Sequence, residues 1–427
     1  MKKHIKLLVV LGIILVGSYS FYLFKGYKKD ALVYENNKIM PSSSGIAMML
    51  ETGAGSGNYE MTTRSEWPAE GYVFNANLSK CENGSELSWD NENKKVLMNG
   101  NKSDKCYVYF DVYVKPQVLL ADYVKSLYTG IQGENGIYYH DSSLTNGAGD
   151  NSYRYAGASN QVNNYVCFGS TQSPCPENNL YRIIGVFGDR VKLIKSDYAT
   201  STLLGADGDY KQAYTATGYG SSSYKGNNLA NIAAYTWNYK NNTTINSGYG
   251  SNTWSTSLLN KTNLNKNFIT NIGADWAAKI AETTWKVGGN TRENIGTQPA
   301  KTAYQNEIVS PVTTNTTDNA TTYGAKVGLM YASDYGFAAA PSAWTTNLYD
   351  YDGEAIKNVN WMYMGLVEWT ISRNADNAYY VFFVNYTGFV NNYYAYYALA
   401  LRPVFYLSSS VNYVSGSGTA ADPISIN

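Results

Sequence analysis

The 427-residue sequence predicts an α+β fold, preceded by a small all-β domain and an N-terminal apolar helix. Three observations carry that expectation. Segments such as YVFNANL (72–78) and CYVYFDVYV (106–114) alternate apolar and polar residues with the period of half-buried strands. Two others, QVLLADYVKSLY (117–128) and WSTSLLNKTNLNKNFITNIG (254–273), repeat their apolar residues at helical spacing. Between these segments run long loops of Tyr, Asn, Ser, Thr and Gly, so the strands are isolated and the helices few.

Taken in order, the chain opens on MKKHIK and then 18 uncharged residues from Leu7 to Phe24, just long enough to cross a bilayer as a helix. Apolar residues continue past the small-residue site Val16-Gly17-Ser18, which favours a retained anchor over the alternative of a cleaved signal peptide. The expected organisation is an anchor at 1–29, a stalk at 30–44 and a small β domain at 45–115. A helix and disulfide-bearing connector follows at 116–177, then the main domain at 178–427. Pro116 suits the opening of a helix, where a missing N–H costs nothing. LYRIIGVF and RVKLIK flank Gly188-Asp189, a two-residue loop of the hairpin kind. KVGLMYASDYGF (326–337) predicts a strand and a turn. EWTISRN (368–374), YYVFFVNY (379–386) and ALALRPVFYL (398–407) predict strands towards the C-terminus, the last as one core strand over 399–407.

Charge and cysteine usage bound the function. Lysines and arginines equal aspartates and glutamates at 33 each, but six lysines precede residue 30, leaving the remainder at 27 − 33 = −6. A slightly acidic body without a basic stripe argues against a nucleic-acid partner. Cys81, Cys106, Cys167 and Cys175 form two local pairs downstream of an export signal and predict two disulfides in an oxidising compartment. The expected location is therefore the cell membrane, crossed once, with the membrane engaged through the N-terminal helix and the body extracellular.

The order LYRIIGVFGDRVKLIK, WSTSLLNKTNLNKNF, AKVGLMYASDYG, EWTISRN and LRPVFYL resembles a family of bacterial surface domains, itself of unknown function. Its hallmark is W-x-L-R-S followed some thirty residues later by V-R-P-A-L-W-L. Here these become Trp369-Thr370-Ile371-Ser372-Arg373 and Leu401-Arg402-Pro403-Val404-Phe405-Tyr406-Leu407. The resemblance covers roughly 178–427 and implies a C-type-lectin-like fold, as in formylglycine-generating enzymes and the variable proteins of diversity-generating retroelements. Trp369, Arg373, Arg402 and Pro403 are then scaffold, with Arg402 a buried polar anchor and Pro403 an edge or bulge. Formylglycine-generating chemistry needs late reactive cysteines, and none follows Cys175.

Catalytic groups are sparse, and no catalytic residue is assigned. His140 is the one histidine downstream of the N-terminal segment, in a polar stretch that reads as structural or solvated. Asp350, Asp352 and Glu354 in YDYDGEA read first as a solvated acidic turn. They are also a weak calcium candidate, because alternating carboxylates around a glycine are the oxygen ligands that ion takes. With Glu368 they are the carboxylates that the alternative of a cell-wall or glycan hydrolase would use. No other cofactor is expected.

The distinctive stretch is 374–397, where twelve of 24 residues are Tyr or Asn. Tyrosine offers large rigid contact area and asparagine adaptable hydrogen bonding, the pairing that antibody paratopes use. The expected ligand-binding residues are Asn374, Asp376, Asn377, Tyr379, Tyr380, Asn385, Tyr386, Asn391, Asn392, Tyr393, Tyr394, Tyr396 and Tyr397. The leading expectation is a binding protein presenting these to a glycan or protein. A sharper variant, implied by the resemblance, is a receptor whose Asn and Tyr positions a retroelement diversifies. A purely structural surface or adhesin component is the third option.

Overall fold

The structure is a computed structural model describing residues 39–427, other than 42, 44, 102, 115, 131–132, 215–218, 227–228, 240–247 and 313–319. The expected anchor at 1–29 and most of the expected stalk lie outside the described residues. Among the described residues no helix is long and apolar enough to cross a membrane. The longest α-helix among them, Leu120–Ser126, has seven residues where a span needs about 20. Membrane attachment through an N-terminal helix, and a single-pass location resting on it, are corrected accordingly.

Contacts divide the chain into two compact units, Met1–Pro116 and Gln117–Asn427. In the smaller, the strand Ile46–Glu51 lies between Tyr59–Thr62, to which it is antiparallel, and Cys106–Val112, to which it is parallel. Tyr72–Phe74 and Lys80–Cys81 complete the sheet on the other side of Cys106–Val112. A separate hairpin, Glu86–Asp90 with Lys95–Asn99, supplies Val96 and Met98 to a core shared with Met48, Val108, Phe110 and Trp67. The disulfide Cys81–Cys106 joins directly opposed residues of two paired strands.

The larger unit centres on a seven-stranded antiparallel sheet. Its strands run in the order Val327–Gly328, Val404–Tyr406, Arg190–Lys195, Leu180–Phe187, Ser152–Ala156 and Gly136–His140, with Tyr165–Cys167 also on Leu180–Phe187. The stretch expected as a connector therefore contributes three strands to this sheet. Gly188-Asp189 forms the expected tight link, with Gly188 at φ +66 and Phe187 opposite Arg190. A second sheet runs Gly289–Asn290, Glu368–Asn374, Tyr380–Val384, Val390–Tyr394. The second disulfide, Cys167–Cys175, closes a short loop beside the main sheet.

The α+β, C-type-lectin-like expectation is corrected by this arrangement. Strand exceeds helix, 33% to 20%, and is spread over several sheets. The physical reason lies in the composition. Asn, Ser and Thr compete with the helical backbone for hydrogen bonds, and Tyr and Thr fit pleated surfaces. Helical spacing thus yields only short pieces: the 117–128 stretch keeps Leu120–Ser126, and half of the 254–273 stretch winds as a π-helix, Leu259–Phe268. The expected single strand over 399–407 is also divided. Ala398–Leu399 pairs with Ala233–Thr236, whereas Val404–Tyr406 pairs with Arg190–Lys195. Pro403 at the break has no N–H to donate, and Arg402 turns towards another strand.

Candidate functional site: a tyrosine surface

The hairpin Tyr380–Val384/Val390–Tyr394 builds the candidate site. Its turn is held by Asn385, whose side-chain oxygen accepts from the Thr387 N–H and hydroxyl, both at 3.0 Å. Gly388 follows at φ +111, where a side chain would strain the backbone. At the open end of the hairpin Tyr380 stands opposite Tyr394, and Val381 opposite Tyr393. The next residue, Ala395, is buried and fixes the path of the chain. Its N–H donates to the Tyr379 carbonyl at 2.8 Å, and its own carbonyl accepts from the N–H groups of Trp237 and Asn238. The backbone is thereby pinned while the flanking rings project.

Those rings gather into one cluster. Tyr394 stacks on Tyr249 at 4.8 Å between centroids and on Tyr379 at 5.6 Å, with Tyr380 edge-on at 4.9 Å. Tyr397 stacks on Tyr393 at 4.3 Å and lies 4.4 Å from Tyr396. Tyr249 comes from a distant segment, and sequence reading missed it because only tertiary pairing brings it near. Ring faces are largely used against one another, so edges and hydroxyls meet the solvent; Tyr393 is 40% exposed. The Tyr393 hydroxyl donates to that of Tyr397 at 3.1 Å. Hydrogen bonding to Tyr397 pushes the Tyr393 and Tyr396 hydroxyls up to about 12 and draws that of Tyr397 down. Beside the cluster lies a cleft of about 580 Å³ walled by Tyr214, Tyr219, Tyr239, Tyr396 and Tyr397, with Lys211 and Gln212 on its border.

The other expected binding residues divide by role. Asn374 is 2% exposed and holds a turn, its side-chain oxygen accepting from the N–H groups of Asp376 and Asn377. Asn391 accepts from Arg292 Nε at 2.8 Å, and Tyr386 is packed against the core. Asp376 is exposed, and Asn377 and Asn392 are half-buried beside the rings. Composition does not separate amides that hold turns from amides that face outward.

The acidic residues lie elsewhere. Asp350, Asp352 and Glu354 are exposed, and Glu354 is ion-paired with Lys357. Among the described residues no group of three His, Cys, Asp or Glu side chains is placed to hold a metal ion. Glu368 is buried and held by Arg402 through two contacts of 2.8 Å, Nε to Oε1 and Nη2 to Oε2. Burial raises the Glu368 carboxyl, and Arg402 opposes that rise. Trp369 is buried and donates to the Tyr235 carbonyl, Arg373 donates to that of Val287, and Pro403 accepts from the Lys195 N–H. His140 is buried between Phe337 and Trp344, accepts from the Ala148 N–H, and is pushed well below its ordinary range by burial.

One polar cluster had no counterpart in the sequence reading. Arg154, Gly185, Lys192 and Tyr406 stand opposite one another across four neighbouring strands, Gly185 leaving a gap between the two cations. Lys192 Nζ donates to Asp334 at 2.5 Å, and Arg154 lies 2.5 Å from Asp150 and 3.6 Å from Asp334. The visible signal was a charge at an inward position of an apolar strand, as in RVKLIK. No protein-family model, curated protein or solved structure shows a match to this chain.

Proposed function

We propose that this disulfide-bonded chain is a ligand-binding protein whose tyrosine surface recognises a glycan. The observation that carries the reading is the collection of seven rings, Tyr249, Tyr379, Tyr380, Tyr393, Tyr394, Tyr396 and Tyr397, on a pinned backbone beside a cleft. A hydroxyl-rich, weakly charged surface of ring edges suits a polyhydroxylated chain, which both packs on aromatic edges and hydrogen-bonds. The rigid backbone lowers the cost of ordering on binding. A hydrolase draws less support, because Glu368 is bound up by Arg402 and the remaining expected carboxylates are exposed and apart from the cleft. A diversified receptor would vary the ring positions and spare Asn374, Asn385 and Asn391, whose amides hold structure.

The test is retention of the full chain on an immobilised glycan array, alongside the triple variant Tyr393→Ala/Tyr396→Ala/Tyr397→Ala. Loss of a central aromatic anchor costs about 2 kcal/mol, roughly thirtyfold in affinity. The variant should lose at least that much while keeping its unfolding temperature within a few degrees. A chain that binds no glycan, or a variant that binds as well as the parent, overturns the reading.

A further inference from the structure

A larger cleft, of about 880 Å³, lies where Leu180–Phe187 begins and Arg190–Lys195 ends, and it shares no lining residue with the tyrosine cleft. Two of its buried cations have no carboxylate within ion-pair distance among the described residues. Elsewhere the buried cations Arg154, Lys192 and Arg402 each have a carboxylate within ion-pair distance. Lys195 and Arg182, which line this cleft and are each 3% exposed, have none among the described residues. Among the described residues Lys195 Nζ makes a single hydrogen bond, 3.3 Å to the Asn178 carbonyl, where an ammonium carries three donors. Among the described residues Arg182 donates only to neutral oxygens, including Asn164 at 2.6 Å and Ser159 at 2.7 Å, and it lies over the rings of Tyr165 and Trp361. Arg373 is also buried without a carboxylate but lines neither cleft. A third cation, Lys225, borders the cleft with its ammonium against the Tyr363 ring, 4.5 Å from the centroid.

The acids present do not balance these cations. Glu177 is exposed, and Asp197 accepts from the Tyr224 hydroxyl at 2.7 and 2.8 Å and from the Tyr198 N–H. Burying a cation is unfavourable, and burial pushes the Lys195 amine down to about 8, with the charge of Asp197, beyond ion-pair distance, only partly opposing the fall. A cation kept in that state at the wall of an open cleft is suited to a ligand that brings the missing negative charge. The remaining wall mixes apolar side chains such as Leu180 and Ile232 with hydroxyls, amides and the rings of Tyr165, Tyr198 and Tyr363, the partners of a sugar.

We infer that this cleft binds a carboxylate-bearing sugar of the uronate class, its carboxylate meeting Lys195 and Lys225. The proposal is independent of the tyrosine surface. Titration calorimetry on the full chain with glucuronate, glucose, acetate and inorganic phosphate tests it. Glucuronate should bind saturably, with glucose and acetate at least tenfold weaker. Lys195→Met and Lys225→Met should each weaken glucuronate about tenfold, while Tyr393→Ala leaves it unchanged. Lys195→Met removes a buried charge without removing volume, and its thermal unfolding provides the check that it folds. Equal binding of glucose removes the role of charge, and equal binding of acetate or phosphate removes the sugar. Absence of glucuronate binding, or a folded Lys195→Met that binds as the parent does, overturns the proposal.

Discussion

Glu307 is a single buried carboxyl whose protonation bears on stability. Its two oxygens accept from the Ser333 N–H at 2.8 Å and the Ser372 hydroxyl at 2.5 Å, and burial lifts it from 4.5 to about 7. Below pH 4.5 the folded and unfolded chains both hold the proton, and Glu307 adds no penalty. As pH rises from 4.5 towards 7 the unfolded chain releases its proton first, so stability falls, by about 3 kcal/mol in all. Glu307→Gln should remove that dependence and gain on the parent as pH rises from 5 to 8, measured by urea unfolding at both values. A constant difference between the two proteins would show that the carboxyl does not titrate in this range. Single residues were legible unevenly. Trp369 and Arg402 emerge as buried scaffold, because an apolar strand context announces them. Lys192 was opaque, because its partner Asp334 lies 142 residues away.

Among elements, the Arg402–Glu368 pair joins the buried strand Glu368–Asn374 to the irregular link between Ala398–Leu399 and Val404–Tyr406. Arg402 also donates to the Met362 carbonyl at 2.7 Å, so three separate segments meet at one guanidinium. Arg402→Met leaves a buried carboxylate without its partner and should cost about 3–5 kcal/mol. Combining it with Glu368→Met should recover most of that loss, since no charge then remains uncompensated. If chemical denaturation finds the double variant as unstable as the single one, the ion pair is not what the site depends on. The same region explains which elements could be read from sequence. The hairpin around Gly188-Asp189 is local, and its turn residues announce it. The parallel contact of Gly289–Asn290 with Glu368–Asn374 has no local signature, nor does the arrival of Tyr249 among the C-terminal rings. Of the candidate site, the tyrosines of 379–397 were legible as composition, whereas the pinned alanine beneath them was not.

At the scale of the whole molecule, the two units differ in how much core supports them. The smaller relies on a few residues around Val108 and Phe110, the larger on an extended cluster. Cys81–Cys106, separated by 25 residues, contributes about 3 kcal/mol by restricting the unfolded chain. In a unit of this size that corresponds to roughly 12–24 °C of melting temperature, and several-fold less in the larger one. Calorimetry of the full chain with and without a reductant should therefore show one transition falling steeply and the other moving little. Equal shifts would remove the distinction. The β-rich class follows from the Tyr, Asn and Thr content in hindsight, but the division into several sheets depends on long-range register that no local pattern encodes.

The parallel pairing of Ile46–Glu51 with Cys106–Val112 has a mechanical consequence. Among the described residues these are the first and last strands of their unit, side by side and pointing the same way. Tension applied through the two ends of the unit therefore pulls the strands in opposite directions along their length. The hydrogen bonds between them are loaded together in shear, instead of parting one at a time like a zip. A small domain with a modest core can in this way resist force well beyond what its equilibrium stability suggests, because rupture is governed by the unfolding barrier.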